Sequence, residues 1–228
     1  GAAVFAAWCE LETAHAALSD HCHWAPQQWP AWYPGFGDAP VPAKFEQERP
    51  NLLKERQPEK FQGTFNYNPA DFATLLQSVS DGWAAAGPHY EKAIALMTEA
   101  EGLATDEPVG YAFWWNGAEQ SPSRKEHVRR QLVYLRSMAL FGREIGLHFG
   151  LHALYEQTGR RADAYFARAA APLAADEAAC RAAGDYFGRL EADGTLVRPG
   201  CAWGRPFLDK ADKIAAVLRG GGNAPPPA

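Results

Sequence analysis

The longest unbroken helical signal in the chain, from Ser123 to about Thr158, sets what everything else must fold around. Along it Tyr134, Met138, Phe141, Ile145, His148, His152 and Tyr155 recur at spacings of four and three, the period of one helix face. Leu132, Leu135, Leu140, Leu147, Leu151 and Leu154 cover other faces of the same stretch. A helix that is apolar on most sides has to be wrapped by its neighbours. This segment is therefore expected to be the central helix of a bundle, with Gly159 as its stop.

Shorter helical patterns surround it. Phe5, Trp8, Leu11, Glu12, His15 and Leu18 share helical spacing in a first helix over 2–19. A short charged helix is expected within 44–57, interrupted at Pro50. Asn68 and Pro69 suit an N-cap and a first helical position, and start a helix that runs to Gly87. Gly87-Pro88 reads as a tight turn into a helix over 88–104. Helices over 161–171, ended by Pro172, then 174–192 and 206–219, complete the set, and strand signals are nearly absent.

The fold class expected is all-α: an irregular bundle of about six to seven helices around one long central helix, preceded by a long extended Trp/Pro-rich segment. The boundaries are an N-terminal helix, 1–23, an extended arm, 24–67, a helical domain, 68–219, and a Gly/Pro tail, 220–228. With 47% hydrophobic and 21% charged residues the 228-residue chain has the composition of a folded domain. Its net charge of −5 argues against nucleic acid as a partner. The nearest basic cluster, Arg124, Lys125, Arg129 and Arg130, reads as a solvated helix start. The most apolar long stretch, Ser137 to Leu154, is broken by Arg143, Glu144, His148 and His152, so no transmembrane segment is expected.

Within the arm Trp24, Trp29, Trp32, Tyr33 and Phe36 alternate with prolines. A flexible linker would be polar and poor in tryptophan. These five aromatics are the candidate interface, lying extended on a surface of this chain or of another. The tail, Gly220 to Ala228, is costly to order at about 1–2 kcal/mol per residue, so its ordering would also require a neighbour. The first residues, Gly1-Ala2-Ala3-Val4, lack methionine, and removal of a targeting peptide is the expectation.

For chemistry the sharpest pattern is Glu144, His148 and His152. Steps of four advance about 40° each, which places all three on one helix face. A His-x3-His pair there suits a shared metal, with Glu144 as ligand or as an orienting group. Glu12-x-x-His15 has the Glu-x-x-His spacing of carboxylate-bridged di-iron bundles, and packed beside the first face it would bring the set to five ligands. His148-Phe149-Gly150, with Tyr155 and Gly159, resembles the last helix of the DinB-type metal-dependent bundles, with Glu144 replacing that family's upstream histidine and Leu151 its glutamine. Tyr90 to Leu96, and Tyr155, Gly159, Ala164 and Ala171, resemble tetratricopeptide helices, which implies close helix pairing through small residues. His21, Cys22 and His23 read as loop surface. Cys9, Cys22, Cys180 and Cys201 match no zinc spacing and are expected as free buried thiols.

No nucleophile elbow, P-loop or dinucleotide fingerprint is present, and no catalytic or cofactor-binding residue is nominated. A third pattern, an aromatic pocket around Trp114 and Trp115, would suit an apolar ligand. The functional expectation is a non-catalytic accessory subunit of a multiprotein assembly, in a respiratory or photosynthetic complex of a mitochondrion or plastid, with other protein subunits as partners and membrane association only through them. The alternative is a metal-binding bundle or metal-dependent enzyme built on the Glu144/His148/His152 face.

Overall fold

The computed structural model describes residues 1–21, 37–55, 72–110, 113–115, 118–195 and 203–220. Among them are six helices: α1 (Ala2–His21), α2 (Pro42–Glu55), α3 (Phe72–Leu103), α4 (Arg124–Gln157), α5 (Ala162–Ala192) and α6 (Gly204–Arg219). The fold is all-α, as the periodicity dictates. The one addition is a small antiparallel hairpin of β1 (Phe113–Trp115) and β2 (Ala118–Gln120), in which Trp114 pairs with Glu119. The sequence between these strands is Asn116-Gly117, the dipeptide favoured in two-residue hairpin turns.

α4 is the central helix. It packs against α3 on one side and α5 on the other, while α1 covers α3 and α6 covers α5. The interior accordingly has two apolar clusters on two faces of α4: one from α1, α3 and an α4 face running from Val128 to Ala153, with Leu52 of α2, the other from α5, α6 and an α4 face that includes Leu151 and Tyr155, with Phe45 of α2. Ser123 caps α4 by accepting a hydrogen bond from the Glu126 amide at 3.1 Å. Gly159 ends the helix at a φ of 66°, where a glycine pays no side-chain penalty.

Three expected breaks do not occur. α3 runs straight through Gly87-Pro88 and α5 through Pro172. The reason lies in the buried stripe. In α3, Phe72, Leu76, Val79, Trp83, Ala86, Tyr90, Ala93, Met97 and Ala100 alternate spacings of four and three without a phase change at Pro88. Ala84, whose carbonyl loses its helical donor to Pro88, is exposed, so water can replace the missing bond. Pro50 likewise does not interrupt α2, which continues to Glu55.

A second correction concerns α1. Its buried face is Ala7, Leu11, Ala14 and Leu18, whereas Phe5 is 72% and Trp8 39% exposed. The two alanines let α1 lie close on α3, and the larger aromatics turn outward. Close approach also governs the α3–α4 contact. Gly142, Gly146 and Gly150 form a stripe on α4, and a Cβ there would meet Trp83 Cζ3 at 2.1 Å, Trp83 Cβ at 2.8 Å and Ser80 Oγ at 2.7 Å respectively. Trp83 thus lies in a groove that only glycines leave open.

Of the expected arm, residues 37–55 are described, and the short charged helix expected over 44–57 is present as α2, which folds back across the C-terminal half of α4. Phe45 is fully buried there, Tyr165 donates to the Pro40 carbonyl at 2.6 Å, and Arg49 pairs with Glu156 at 3.0 Å. Trp24, Trp29, Trp32, Tyr33 and Phe36 lie outside the described residues, as do Cys22, His23, Asn68, Pro69, Cys201 and the tail beyond Gly220.

Candidate functional site

The outward turn of α4, opposite its glycine stripe, carries Glu144, His148 and His152. A polar stripe at i, i+4 and i+8 is set two residues out of phase with the glycines, which places it about 160° round the helix. α3 therefore takes the glycine side, and α2, α5 and α6 converge on the polar side. Glu48 comes from α2, Asp176 and Cys180 from α5, and Lys210 from α6. Glu48, Glu144, His148, His152, Asp176 and Lys210 are each no more than 3% exposed. Charged groups enter a protein interior only when paired, hydrogen-bonded or bound to metal.

Lys210 organises one end. Its ammonium contacts Glu144 Oε1 directly and lies 3.2 Å from Asp176 Oδ2. Burial alone would lower its proton affinity; the carboxylates of Glu144 and Asp176 outweigh that and raise it, so the ammonium stays charged. Burial also pushes the Glu144 carboxyl up, with Lys210 opposing and Asp176 adding. Cys180 Sγ lies 3.6 Å from Asp176 Oδ1 and 3.9 Å from Glu144 Oε1, and burial beside Asp176 holds the thiol well above its ordinary value. Among the described residues, Glu144, Asp176 and Cys180 bring three ligand-type atoms within 4.8 Å of one another. The cation among them is the protein's own, the Lys210 ammonium.

The other end is different. Lys210 Nζ is 3.4 Å from His148 Nδ1. An ammonium can only donate, so Nδ1 accepts and the ring proton sits on Nε2, which donates to Glu48 Oε2 at 3.0 Å. His152 Nδ1 is 3.7 Å from the same Glu48 oxygen and its Nε2 is 3.8 Å from Glu156 Oε1. Among the described residues, neither His152 nitrogen finds a hydrogen-bond partner, nor does Glu48 Oε1, although all are buried. Burial, with His148 and Arg49 adding to it, pushes His152 down to about 3, so its ring is neutral at physiological pH. Phe45 fixes that ring by stacking on it at 4.5 Å between centroids, with planes 18° apart. Phe72 meets it edge-on at 5.6 Å.

Glu144, His148 and His152 are thus brought to one interior, but Glu144 serves Lys210 while Glu48 faces the histidines. Glu12 and His15 are not brought to them. They sit on α1, which packs on α3; Glu12 is exposed and His15 meets Tyr90 edge-on at 6.5 Å. Glu48, Asp176 and Lys210 were not singled out from sequence. Their signal was present: each occupies a phase position in an apolar stripe, as in Phe45-Glu48-Leu52, Leu173-Asp176-Cys180 and Phe207-Lys210-Ile214.

Elsewhere, Arg124, Arg129 and Arg130 of the basic cluster pair with Glu107, Glu101 and Glu126. Of the described cysteines, Cys180 is a buried free thiol, as expected, but Cys9 is exposed. Among the described residues no helix is long and apolar enough to cross a membrane. The pair Trp114 and Trp115 lies in β1. Compared with protein-family models, curated proteins and solved structures, the chain matches none of them.

Proposed function

We propose that this chain is a metal-binding helical-bundle protein in which Glu48, His148 and His152 hold one divalent transition-metal ion. The observation that carries the reading is the fully buried His152 ring, neutral and without a hydrogen bond to any described residue, beside a carboxylate shared with His148. Two imidazoles and a carboxylate are a common ligand set for zinc and non-haem iron. With metal–ligand bonds of about 2.1 Å, two ligand atoms on one ion stand at most about 4.2 Å apart. The 3.0 and 3.7 Å separations to Glu48 Oε2 meet this, whereas the three residues do not bring their ligand atoms within 4.8 Å of one another, so loading would have to draw the two imidazoles together. Glu48 Oε1 offers a second carboxylate contact. A metal on His148 Nε2 would require the ring proton to shift to Nδ1, where it would replace the bond from Lys210, and Lys210 would keep Glu144 and Asp176. The site's enclosure favours holding an ion over turning over a substrate.

Equilibrium dialysis of the full chain against Zn²⁺, followed by elemental analysis, tests this. About one ion per chain is expected, with Glu48→Gln and His152→Gln reducing occupancy by about tenfold or more. Occupancy below a tenth in the unaltered chain, or unchanged in both variants, would overturn the proposal.

A second reading, a non-catalytic accessory subunit of a larger, organellar assembly, draws support from a different place. Phe5 and Trp8 on α1, Leu103 on α3 and Tyr134 on α4 are large apolar side chains left 39–74% exposed, and such surface is characteristic of interfaces. Native electrophoresis of gently lysed source cells tests it. Migration above the monomer, lost in a Phe5→Ser/Trp8→Ser variant, is expected; migration as a monomer rejects it.

A further inference from the structure

Helices α3, α4 and α5 enclose a groove of about 480 Å³, within the range of small-molecule sites. Trp83, Leu140 and Leu147 give it apolar walls, and Ala84 stands on its rim. One charged group in its lining is uncommitted among the described residues. Arg143 is exposed and forms no ion pair with a described residue, including Glu91, which lines the same groove.

Chemistry narrows the occupant. An apolar body replaces water along Trp83, Leu140 and Leu147, which favours binding in proportion to the apolar surface buried. A guanidinium takes a carboxylate in preference to a neutral headgroup, through two parallel N–H bonds. Glu91 works against a second negative charge on the ligand, which favours a single carboxylate. The groove is also built by the feature that shapes the α3–α4 contact. Gly146 lines it, and without a side chain there the Trp83 ring and the α4 backbone form one continuous wall.

We infer that the α3–α4–α5 groove is a binding site for an amphipathic monocarboxylic acid, with its carboxylate on Arg143 and its apolar body along Trp83. This does not rest on the metal site, since the two share no residue.

Isothermal titration of the full chain with decanoate, decanol and decyltrimethylammonium, each below its aggregation threshold, tests the inference. Saturable binding of decanoate at one site is expected, with decanol and decyltrimethylammonium at least about tenfold weaker. Arg143→Gln should weaken decanoate about tenfold and leave the decanol response unchanged. Ala84→Trp, at an exposed position, should fill the rim and abolish decanoate binding while circular dichroism stays that of the unaltered chain. Absence of saturable decanoate binding, equal affinity for all three probes, or equal affinity in Arg143→Gln would overturn the assignment.

Discussion

The imidazole of His152 lies flat on the ring of Phe45, with centroids 4.5 Å apart, so a residue of the short helix α2 sets the orientation of a residue near the C-terminal end of α4. Phe45 also meets His148, Tyr155 and Tyr165 at ring distances of 5.6–5.8 Å. Phe45→Leu keeps an apolar plug and removes the stack. Zn²⁺ affinity is expected to fall by about tenfold, the usual effect of loosening a group that orients a ligand, with helix content unchanged. Competition against a chromophoric chelator reads it.

Lys210 is the counter-charge for two buried carboxylates. Lys210→Met leaves Glu144 and Asp176 facing each other without a cation, and unfolding free energy should fall by about 3–5 kcal/mol. Adding Glu144→Gln and Asp176→Asn to that variant should recover most of the loss, because the triad is then neutral. Urea denaturation of the three proteins measures both effects.

The glycine stripe makes a sharper packing test. At Gly146 a Cβ would sit 2.8 Å from Trp83 Cβ, an atom fixed to its backbone, whereas at Gly188 in α5 it would meet nothing within 4 Å. Gly146→Ala should cost about 1–3 kcal/mol from overpacking. Gly188→Ala should gain up to about 1 kcal/mol from helix propensity. Thermal melts of the pair are expected to shift in opposite directions.

Acid should loosen the junction that ties residues 37–41 to α6. Asp38 bonds Lys44 and Lys213 at 2.8 Å each. Partial burial raises its carboxyl, but the two ammonium groups outweigh this and hold it below the usual range. A lowered folded-state value means the contribution is full above the unfolded carboxylate range, near pH 4, and is lost as pH falls through the folded value. With Asp38 half-exposed, the effect is at most about 1 kcal/mol. Asp38→Asn should be less stable than the unaltered chain at pH 7 and indistinguishable from it at pH 2, by urea denaturation.

Much of this architecture could be read from residue order, and the failures have physical causes. The central helix and its stop at Gly159 follow from an apolar period and a residue that tolerates positive φ. Pro88 and Pro172 misled because local propensity was weighed without the stripe: Trp83, Ala86 and Tyr90 stay in phase across Pro88, and packing on α4 outweighs one missing hydrogen bond. Phe5 and Trp8 misled because size was taken as a guide to burial, while Ala7 and Ala14 decided the face by allowing approach. At the site, His148 and His152 were visible because they share a helix. Glu48, Asp176 and Lys210 each sit alone on a different helix, and nothing in chain order says that α2, α5 and α6 meet over α4. Only the lapse of a polar residue into an apolar stripe marked them.

The central claim is that nitrogen and oxygen ligands from α4 and α2, not the carboxylate–thiol cluster around Lys210, bind metal. X-ray absorption spectroscopy of the Zn²⁺-loaded full chain addresses it directly. The account expects a shell of nitrogen and oxygen at about 2.0–2.1 Å with outer scattering from two imidazoles. A sulfur contribution at about 2.3 Å, which would place the ion on Cys180, or a spectrum of hydrated zinc alone, would contradict it.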